Sequence, residues 1–241
     1  MASPAHALYC FDVLSAKLTG GKQHTLDQIE YLYSQYLSSQ NSNSNGNHNT
    51  HTTPTSNGHA DSKSSHPMFI TWNTLHPHHS RSSSHRLRGC IGTFAAQPLP
   101  SGLSTYALTS ALEDHRFNPI SAAELPSLHC DVTLLTDFED IDDPLDWEVG
   151  VHGLRISFHA RGRRYGSTYL PQVAREQGWG REETVESLMR KAGWSGKARK
   201  GKRPWEEVED MKVVRYQGRA VGVEYEEWRE FREWVDEREG A

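Results

Sequence analysis

The sequence predicts an α+β fold with a largely antiparallel sheet flanked by helices. Segments that alternate apolar and polar residues come as adjacent pairs joined by short connections, which is typical of antiparallel hairpins. Segments with apolar residues at steps of three and four lie before, between and after these pairs and predict helices. With 241 residues, 35% of them hydrophobic, the chain is long enough to bury one sizeable core or two modest ones.

The N-terminal segment 1–37 predicts two helices. The first begins near Pro4, a residue favoured in the first turn, and ends at Gly20. The second begins with Thr25 and Gln28, which are spaced as a capping box. Apolar residues recur at helical spacing along both helices, so each has one face to bury.

Two segments rich in Ser, Asn and His interrupt this pattern. Residues 38–66 hold almost no apolar side chains and predict a disordered insert, and residues 76–85 predict a flexible hairpin tip. The prediction is therefore a single domain made of residues 1–37 and 67–236. The two segments carry eight of the 14 histidines, but a metal site needs ligands held at fixed geometry. We expect neither a metal nor another cofactor.

The rest of the chain predicts strands and helices in alternation. They are a hairpin over 68–94, a helix over 101–115, a strand over 128–135, a hairpin over 154–170, short helices over 171–178 and 185–192, strands over 211–216 and 219–225, and a helix over 225–235. Gln217 and Gly218 predict a hairpin turn, and Cys130 lies on the buried side of its strand. The acidic run at 137–148 lacks the turn glycine of a calcium loop and predicts a solvated loop.

Charge and cysteine content exclude several classes of protein. The chain has 26 basic and 31 acidic residues, a net charge of −5, which argues against a general nucleic-acid coat. Its three cysteines form no CxxC pair and make a poor disulfide framework, which favours a reducing, intracellular compartment. No basic region followed by an apolar run begins the chain, and no window holds 18 apolar residues. We therefore expect neither secretion nor a membrane partner.

The Arg-Gly-Cys-Ile-Gly segment at 88–92 concentrates more chemistry than any other. Cys90 lies between Gly89 and Gly92, which allow close backbone approach, and Arg88 lies two positions before it. Residues two apart on a regular strand share a face, so Arg88 and Cys90 are predicted to point into one cleft unless a bulge intervenes. The opposing interpretation is structural, because free cysteine is among the most buried residue types and the glycines also suit a bulge.

Other residues extend this candidate site. His152 stands at a strand entry and is the best base to activate Cys90 as a catalytic nucleophile, with an acid of the preceding segment to orient it. Arginines could instead clamp a carboxylate or phosphate. The candidate ligand-binding residues are Arg88, Gly89, Gly92, Arg116 and Glu148.

One basic run lies at 197–203. It could contact nucleic acid or act as a nuclear import signal. Acidic residues follow directly at 206–210, so a solvated, internally neutralised loop is the alternative. The basic residues are Lys197, Arg199, Lys200, Lys202 and Arg203.

Blocks found in a fixed order resemble the AMMECR-one domain family. They are MFITW at 68–72, LRGCIGTF at 87–94, LTSAL at 108–112, DWEVGVHG at 146–153, and YLPQVA at 169–174 followed by EQGW at 176–179. They span nearly the whole chain outside the two inserts, as in a eukaryotic, fungal-type member. The inserts and the basic segment near Lys197 depart from the family pattern.

The resemblance implies a fold of two unequal lobes and an intracellular protein of the nucleus, the cytoplasm or both, whose reaction, if any, is unresolved. Prokaryotic relatives occur beside Memo-like and radical-SAM proteins. Three functions stay open. A regulatory or adaptor domain predicts an exposed groove for a protein partner, a thiol-dependent enzyme predicts an accessible Cys90 beside a histidine, and a nucleic-acid-binding module predicts a continuous positive face. We rank them in that order, and the sequence does not decide whether the protein is an enzyme.

Overall fold

The computed structural model describes residues 1–43, 64–75, 85–196 and 198–240. Short 3-10 turns over Ala122–Ser127 and Pro204–Glu207 supplement the regular elements. In chain order these are helices α1 (Pro4–Thr19) and α2 (Leu26–Asn43), strands β1 (Ser65–Leu75) and β2 (His85–Pro98), helix α3 (Leu99–Leu112), strands β3 (Leu128–Ile141), β4 (Gly153–Ala160) and β5 (Arg163–Tyr169), helices α4 (Pro171–Gln177) and α5 (Arg181–Lys191), strand β6 (Glu209–Glu224) and helix α6 (Tyr225–Glu239).

The chain forms two compact units of unequal size. Unit 1 consists of Met1–Leu134 and Arg219–Ala241, and unit 2 consists of Leu135–Gly218. The strands are ordered β2-β1-β3-β6 in unit 1 and β3-β6-β4-β5 in unit 2, since β3 and β6 contribute to both. Strand β1 pairs antiparallel with β2 and β3, and β4 pairs antiparallel with β5 and β6. The predicted antiparallel sheet with flanking helices is confirmed.

The core of unit 1 packs α1 and α3 against one side of the sheet. Trp72 of β1 is fully buried and meets Phe11 of α1 edge-on, with ring centroids 5.0 Å apart. Its indole Nε1 donates a hydrogen bond to the carbonyl oxygen of Ala107 in α3 at 3.0 Å. Cys10 and Cys130 are buried in the same core, which confirms the predicted structural role of Cys130.

A buried charge network also holds unit 1 together. The Asp12 carboxylate of α1 accepts hydrogen bonds from the backbone N–H of His24 at 2.6 Å and from Arg232 Nη1 of α6 at 2.7 Å. Its side chain is only 1% exposed. A buried carboxylate without partners would be costly, so these contacts fix α1, the segment before α2 and α6 to one another.

The core of unit 2 is smaller. Ile156 and Phe158 of β4 alternate with more exposed residues and pack with Leu188 of α5 and with Trp205. Within the described ranges, no helix is both long enough and apolar enough to cross a lipid bilayer.

Several predicted boundaries differ from the structure. Strand β6 runs without a break through Gln217 and Gly218, so the predicted hairpin turn there is wrong. Helix α2 continues to Asn43 and β1 begins at Ser65, so both ends of the predicted disordered insert are regular secondary structure. Residues 44–63 of that insert and residues 76–84 of the predicted hairpin tip lie outside the described residues.

Candidate functional site

Strand β2 contains a bulge at Arg88. Trp72 of β1 pairs with Gly89, whereas the next residue, Asn73, pairs with Leu87, which leaves Arg88 as the extra residue. The bulge breaks the strand alternation on which the predicted shared face of Arg88 and Cys90 rested. The two side chains accordingly have different partners.

Arg88 braces the segment that follows α3. Its Nε donates to Glu124 Oε1 at 2.8 Å, and its Nη1 donates to the carbonyl oxygen of Asn118 at 2.7 Å. Its Nη2 lies 3.3 Å from both Glu124 Oε2 and the carbonyl oxygen of Pro119. The Arg88 charge lowers the pKa of the Glu124 carboxyl through this hydrogen bond. The Arg88 side chain is only 15% exposed, and each of its guanidinium nitrogens already has a partner. Little of it is therefore left to bind a ligand.

The backbone of Cys90 is capped on the outer edge of the sheet. Strand β2 is the edge strand of unit 1. The Cys90 N–H donates to Asp114 Oδ2 at 2.9 Å, and Arg116 Nη2 donates to the Cys90 carbonyl oxygen at 3.1 Å. Asp114 and Arg116 are also joined to each other by an ion pair. This arrangement satisfies edge groups that would otherwise be free to pair with another strand.

The surroundings of the Cys90 thiol disfavour its thiolate form. It is half-buried, and the hydroxyl of Thr71 donates to its Sγ at 3.1 Å. Burial raises the pKa of the Cys90 thiol above its ordinary value of 9.0, against the opposing effects of the Thr71 hydrogen bond and the Arg116 charge. The carboxylates of Asp114 and Asp131 raise it further. A thiol with a raised pKa is protonated at neutral pH and is a poor nucleophile.

The two glycines of the segment are packing positions. A Cβ on Gly89 would lie 2.0 Å from the carbonyl oxygen of Ser110 in α3. A Cβ on Gly92 would lie 2.2 Å from the carbonyl oxygen of Met68 and would overlap the Phe69 ring. Protein atoms therefore fill the space that the sequence assigned to a ligand at Gly89 and Gly92, and glycine is needed because the backbones approach so closely.

A cleft of about 570 Å³ opens beside this edge, and we call it the β2 cleft. Arg86 and Arg116 are exposed guanidinium groups on its wall, and Leu87 contributes an apolar side chain that is 37% exposed. Among the described residues, no carboxylate lies within ion-pair distance of Arg86. The lining residues are Thr74, Arg86, Leu87, Arg88, His115, Arg116, Phe117, Asn118 and Glu124.

His152 and Glu148 belong to unit 2 and contact each other. The backbone N–H of Glu148 donates to His152 Nδ1 at 3.1 Å, and the Glu148 carbonyl oxygen accepts the backbone N–H of His152 at 3.0 Å. The histidine ring closes this turn through a backbone group, and the Glu148 carboxylate is exposed. Pairing of His152 with Cys90, which belongs to unit 1, stays a prediction.

The two charged runs of unit 2 are partly neutralised. Arg215 of β6 contacts Glu139 at 2.6 Å and Asp146 at 3.2 Å, so the predicted solvated acidic loop has a basic partner from a distant part of the sequence. In the basic run, Arg199 pairs with Glu207 at 3.0 Å and Arg203 pairs with Glu182 at 2.7 Å. Lys197 lies outside the described residues.

A second polar cluster lies on the other side of β3 from the buried Cys130. His129 Nε2 is 3.0 Å from Asp131 Oδ1, and Asn73 Nδ2 donates to Asp131 Oδ2 at 3.0 Å. The ring of His85, the first residue of β2, lies 4.4 Å from the His129 ring between centroids. Burial lowers the pKa of His129, but the hydrogen bond to Asp131 and nearby glutamate charges outweigh it, so that the pKa is raised.

The sequence predictions did not identify this cluster. The only signal was the alternation of polar and buried residues along β3, which places His129 and Asp131 on one face. That pattern is equally typical of a solvated face, and it gives no indication that His85 or the end of β6 lies opposite.

Comparison with known proteins gives a consistent match. A protein-family model named AMMECR1 matches residues 8–221. An uncharacterised Schizosaccharomyces pombe protein is 47% identical over 162 residues, covering 67% of this chain and 77% of that protein. An uncharacterised Arabidopsis thaliana protein is 44% identical over 171 residues, covering 70% of this chain and 76% of that protein.

A solved structure has the same fold. The crystal structure of an uncharacterised protein from Pyrococcus horikoshii matches with a TM-score of 0.58 over 92% of this chain and 94% of that one. The two sequences are 23% identical, so this likeness concerns the fold alone.

Proposed function

Because the chain belongs to the AMMECR1 family, a family without an established reaction, we propose from the geometry of its site that it is an intracellular regulatory or adaptor domain. Its proposed binding surface is the β2 cleft. The proposed occupant is an extended segment of a partner protein that presents a carboxylate beside an apolar side chain.

The observation that carries this proposal is the exposed guanidinium of Arg86, which pairs with no carboxylate of the described residues and lies beside the exposed side chain of Leu87. Arginine binds carboxylates through a planar fork of donors, and it is enriched at protein interfaces. Leu87 and the half-buried Phe117 supply apolar contact area on the same cleft. Arg88 and Glu124 also line the cleft, and their opposite charges pair with each other.

Other observations favour this role over the two alternatives. The raised pKa of the Cys90 thiol argues against a thiol-dependent reaction that uses Cys90 and His152. The pairing of Arg199 and Arg203 with glutamates reduces the positive charge that a nucleic-acid face would need. An intracellular location, in the nucleus or the cytoplasm, is supported by the three cysteines, all of which are free thiols.

The test is a comparison of partners captured by the wild-type protein and by Arg86→Glu and Leu87→Ala variants. Arg190→Glu is the matched control, because Arg190 is an exposed arginine of unit 2 outside the cleft. Any partner lost with both cleft variants is then purified, and its dissociation constant is measured directly. We expect Arg86→Glu to weaken binding by about tenfold or more, and added salt to weaken wild-type binding.

The proposal fails if partners bind the cleft variants as tightly as they bind the wild type. It also fails if Arg190→Glu removes the same partners, because the interaction would then depend on net charge and not on the cleft. Rapid alkylation of Cys90 at neutral pH with loss of a measurable activity would favour the thiol-dependent enzyme instead.

A further inference from the structure

The polar cluster around His129 has the ligand types of a metal site and the hydrogen bonds that hold such ligands in place. One ligand atom each from His85, His129 and Glu224 lies within 4.8 Å of the other two. We propose that these three side chains bind a divalent transition-metal cation, with Zn²⁺ as the best-fitting ion. Two imidazoles and one carboxylate form a common protein ligand set for Zn²⁺, and they leave a fourth position for water or another ligand.

His129 is held as a metal-binding histidine is held. Its Nε2 contacts Asp131 Oδ1 at 3.0 Å, which assigns the ring proton to Nε2 and leaves a lone pair on Nδ1. Nδ1 is shielded from solvent and has no hydrogen-bond partner among the described residues. A carboxylate on the far nitrogen is the usual arrangement behind a histidine that ligates a metal. The unsatisfied, buried Nδ1 is therefore the observation that calls for a ligand.

The carboxylate behind His129 is itself fixed. Asn73 Nδ2 donates to Asp131 Oδ2 at 3.0 Å, so both oxygens of Asp131 are occupied. This chain of contacts runs across β1 and β3, whose residues Thr71 and Asp131 are register partners. The ring orientation of His129 is thus set by its hydrogen bond to a fixed carboxylate, and a cation would not have to order it on binding.

Gly222 of β6 makes room for this arrangement. A Cβ at position 222 would lie 2.2 Å from His129 Nε2 and 2.4 Å from Asp131 Oδ1. Glycine inside a strand weakens the strand and has no side chain to pack, so its presence indicates a close approach by another group. Here that group is the His129–Asp131 pair, and Glu224 follows two residues later on the same strand.

The geometry of the two rings fits one shared cation. Metal–nitrogen bonds of about 2.1 Å place the centroids of two imidazoles on one ion roughly 5 Å apart. The rings of His85 and His129 lie 4.4 Å apart between centroids and are inclined by 33°. The chemistry favours a borderline cation over Ca²⁺ or Mg²⁺, which prefer oxygen ligands.

The test is a zinc titration of the full-length, tag-free protein against a chromophoric chelator of known affinity. We expect one tight site, and we expect His85→Asn and Glu224→Gln to weaken it by about 100-fold or more. Asp131→Asn should weaken it by about 10- to 100-fold, since it supports His129 without touching the ion. Titration with Co²⁺ provides a second readout, because its visible absorption should appear in the wild type and disappear in His85→Asn.

Two controls address the other histidines. His159→Asn changes a histidine of unit 2 whose side chain is 46% exposed, and the triple variant His76→Asn, His78→Asn, His79→Asn removes imidazoles that precede His85 in the sequence. Both should retain the tight site. His85 is exposed, so His85→Asn keeps the test valid if His129 variants fail to fold.

Three results would overturn the proposal: no Zn²⁺ binding by the wild type up to about 1 mM, unchanged affinity in both His85→Asn and Glu224→Gln, or loss of the tight site in the triple variant. None of them depends on partner binding, so the proposal for the β2 cleft stands or falls separately.

Discussion

Unit 1 contains two polar clusters that differ in how completely their polar groups are hydrogen-bonded. In the segment 88–92, the Arg88 guanidinium has partners on Glu124, Asn118 and Pro119, and both backbone groups of Cys90 are capped. In the cluster around His129, a buried ring nitrogen has no partner among the described residues. Buried polar groups are nearly always satisfied, so the second cluster is the stronger pointer to a ligand although the first has the more conspicuous sequence.

The largest stability loss is expected from a substitution at Gly89, in the closely packed segment 88–92. Gly89→Ala would place a methyl group 2.0 Å from the Ser110 carbonyl oxygen, and neither backbone can move without disturbing the strand or the helix. We expect a loss of about 3 kcal/mol or more of folding free energy, or ~6–12 °C in thermal midpoint, measured by denaturation. Gly180→Ala is the control, because nothing lies within 4 Å of the added methyl there. Equal stability of the two variants would remove the packing role assigned to Gly89.

Substitutions of two arginines of β2 distinguish the structural role of Arg88 from the binding role proposed for Arg86. Arg88→Met removes the charge that satisfies Glu124 and the carbonyl oxygens after α3, and we expect a loss of about 2 kcal/mol in the free energy of unfolding. Arg86→Met should change stability by less than about 0.5 kcal/mol, because no carboxylate of the described residues pairs with Arg86. Urea denaturation of both variants measures the difference. If the two stability losses were equal or reversed, the assignment of a structural role to Arg88 and a binding role to Arg86 would be wrong.

Gly222→Ala tests whether the His129–Asp131 pair is held as closely as the structure indicates. The added methyl overlaps side-chain atoms and not backbone, so the pair can shift, and we expect a stability loss of only about 1 kcal/mol. The same shift should weaken Zn²⁺ binding by about tenfold, measured by chelator competition. Unchanged zinc affinity together with lower stability would show that Gly222 serves packing alone.

Much of the fold was predictable from local patterns. The alternation over β3 correctly placed Cys130 in the core, and the helical spacing at the N-terminus correctly gave α1 and the start of α2. The turn at Gln217 and Gly218 was wrong because glycine permits a turn without requiring one. Pairing with β4 over Glu209–Tyr216 on one side and with β3 on the other keeps β6 extended.

The candidate sites were less predictable because they depend on contacts between distant residues. The bulge at Arg88 follows from the register with β1, which no local spacing encodes. His85, His129 and Glu224 come from three different strands, and each looks like an ordinary surface residue in its own segment. Likewise, Arg215 neutralises acids that stand about 70 residues earlier, so the acidic run looked uncompensated in the sequence.

The smallest effect is expected in the reactivity of the Cys90 thiol, which belongs to the first of the two clusters. Burial and nearby carboxylates raise its pKa above 9.0, so the fraction of thiolate is small at neutral pH and grows as the pH rises towards that pKa. We expect alkylation of Cys90 in the native protein to be slower than that of a free thiol at pH 7.5. The logarithm of its rate should rise linearly with pH, without a plateau below pH 9.

Mass spectrometry of labelled peptides gives the rate for Cys90 separately from Cys10 and Cys130, which are buried and should label only on unfolding. Thr71→Val sharpens the test: loss of the hydroxyl that donates to Sγ should raise the pKa and slow labelling at a given pH. A plateau near neutral pH would mean that the thiolate is stabilised after all, and Cys90 would then become the reactive centre that its setting between two glycines first indicated.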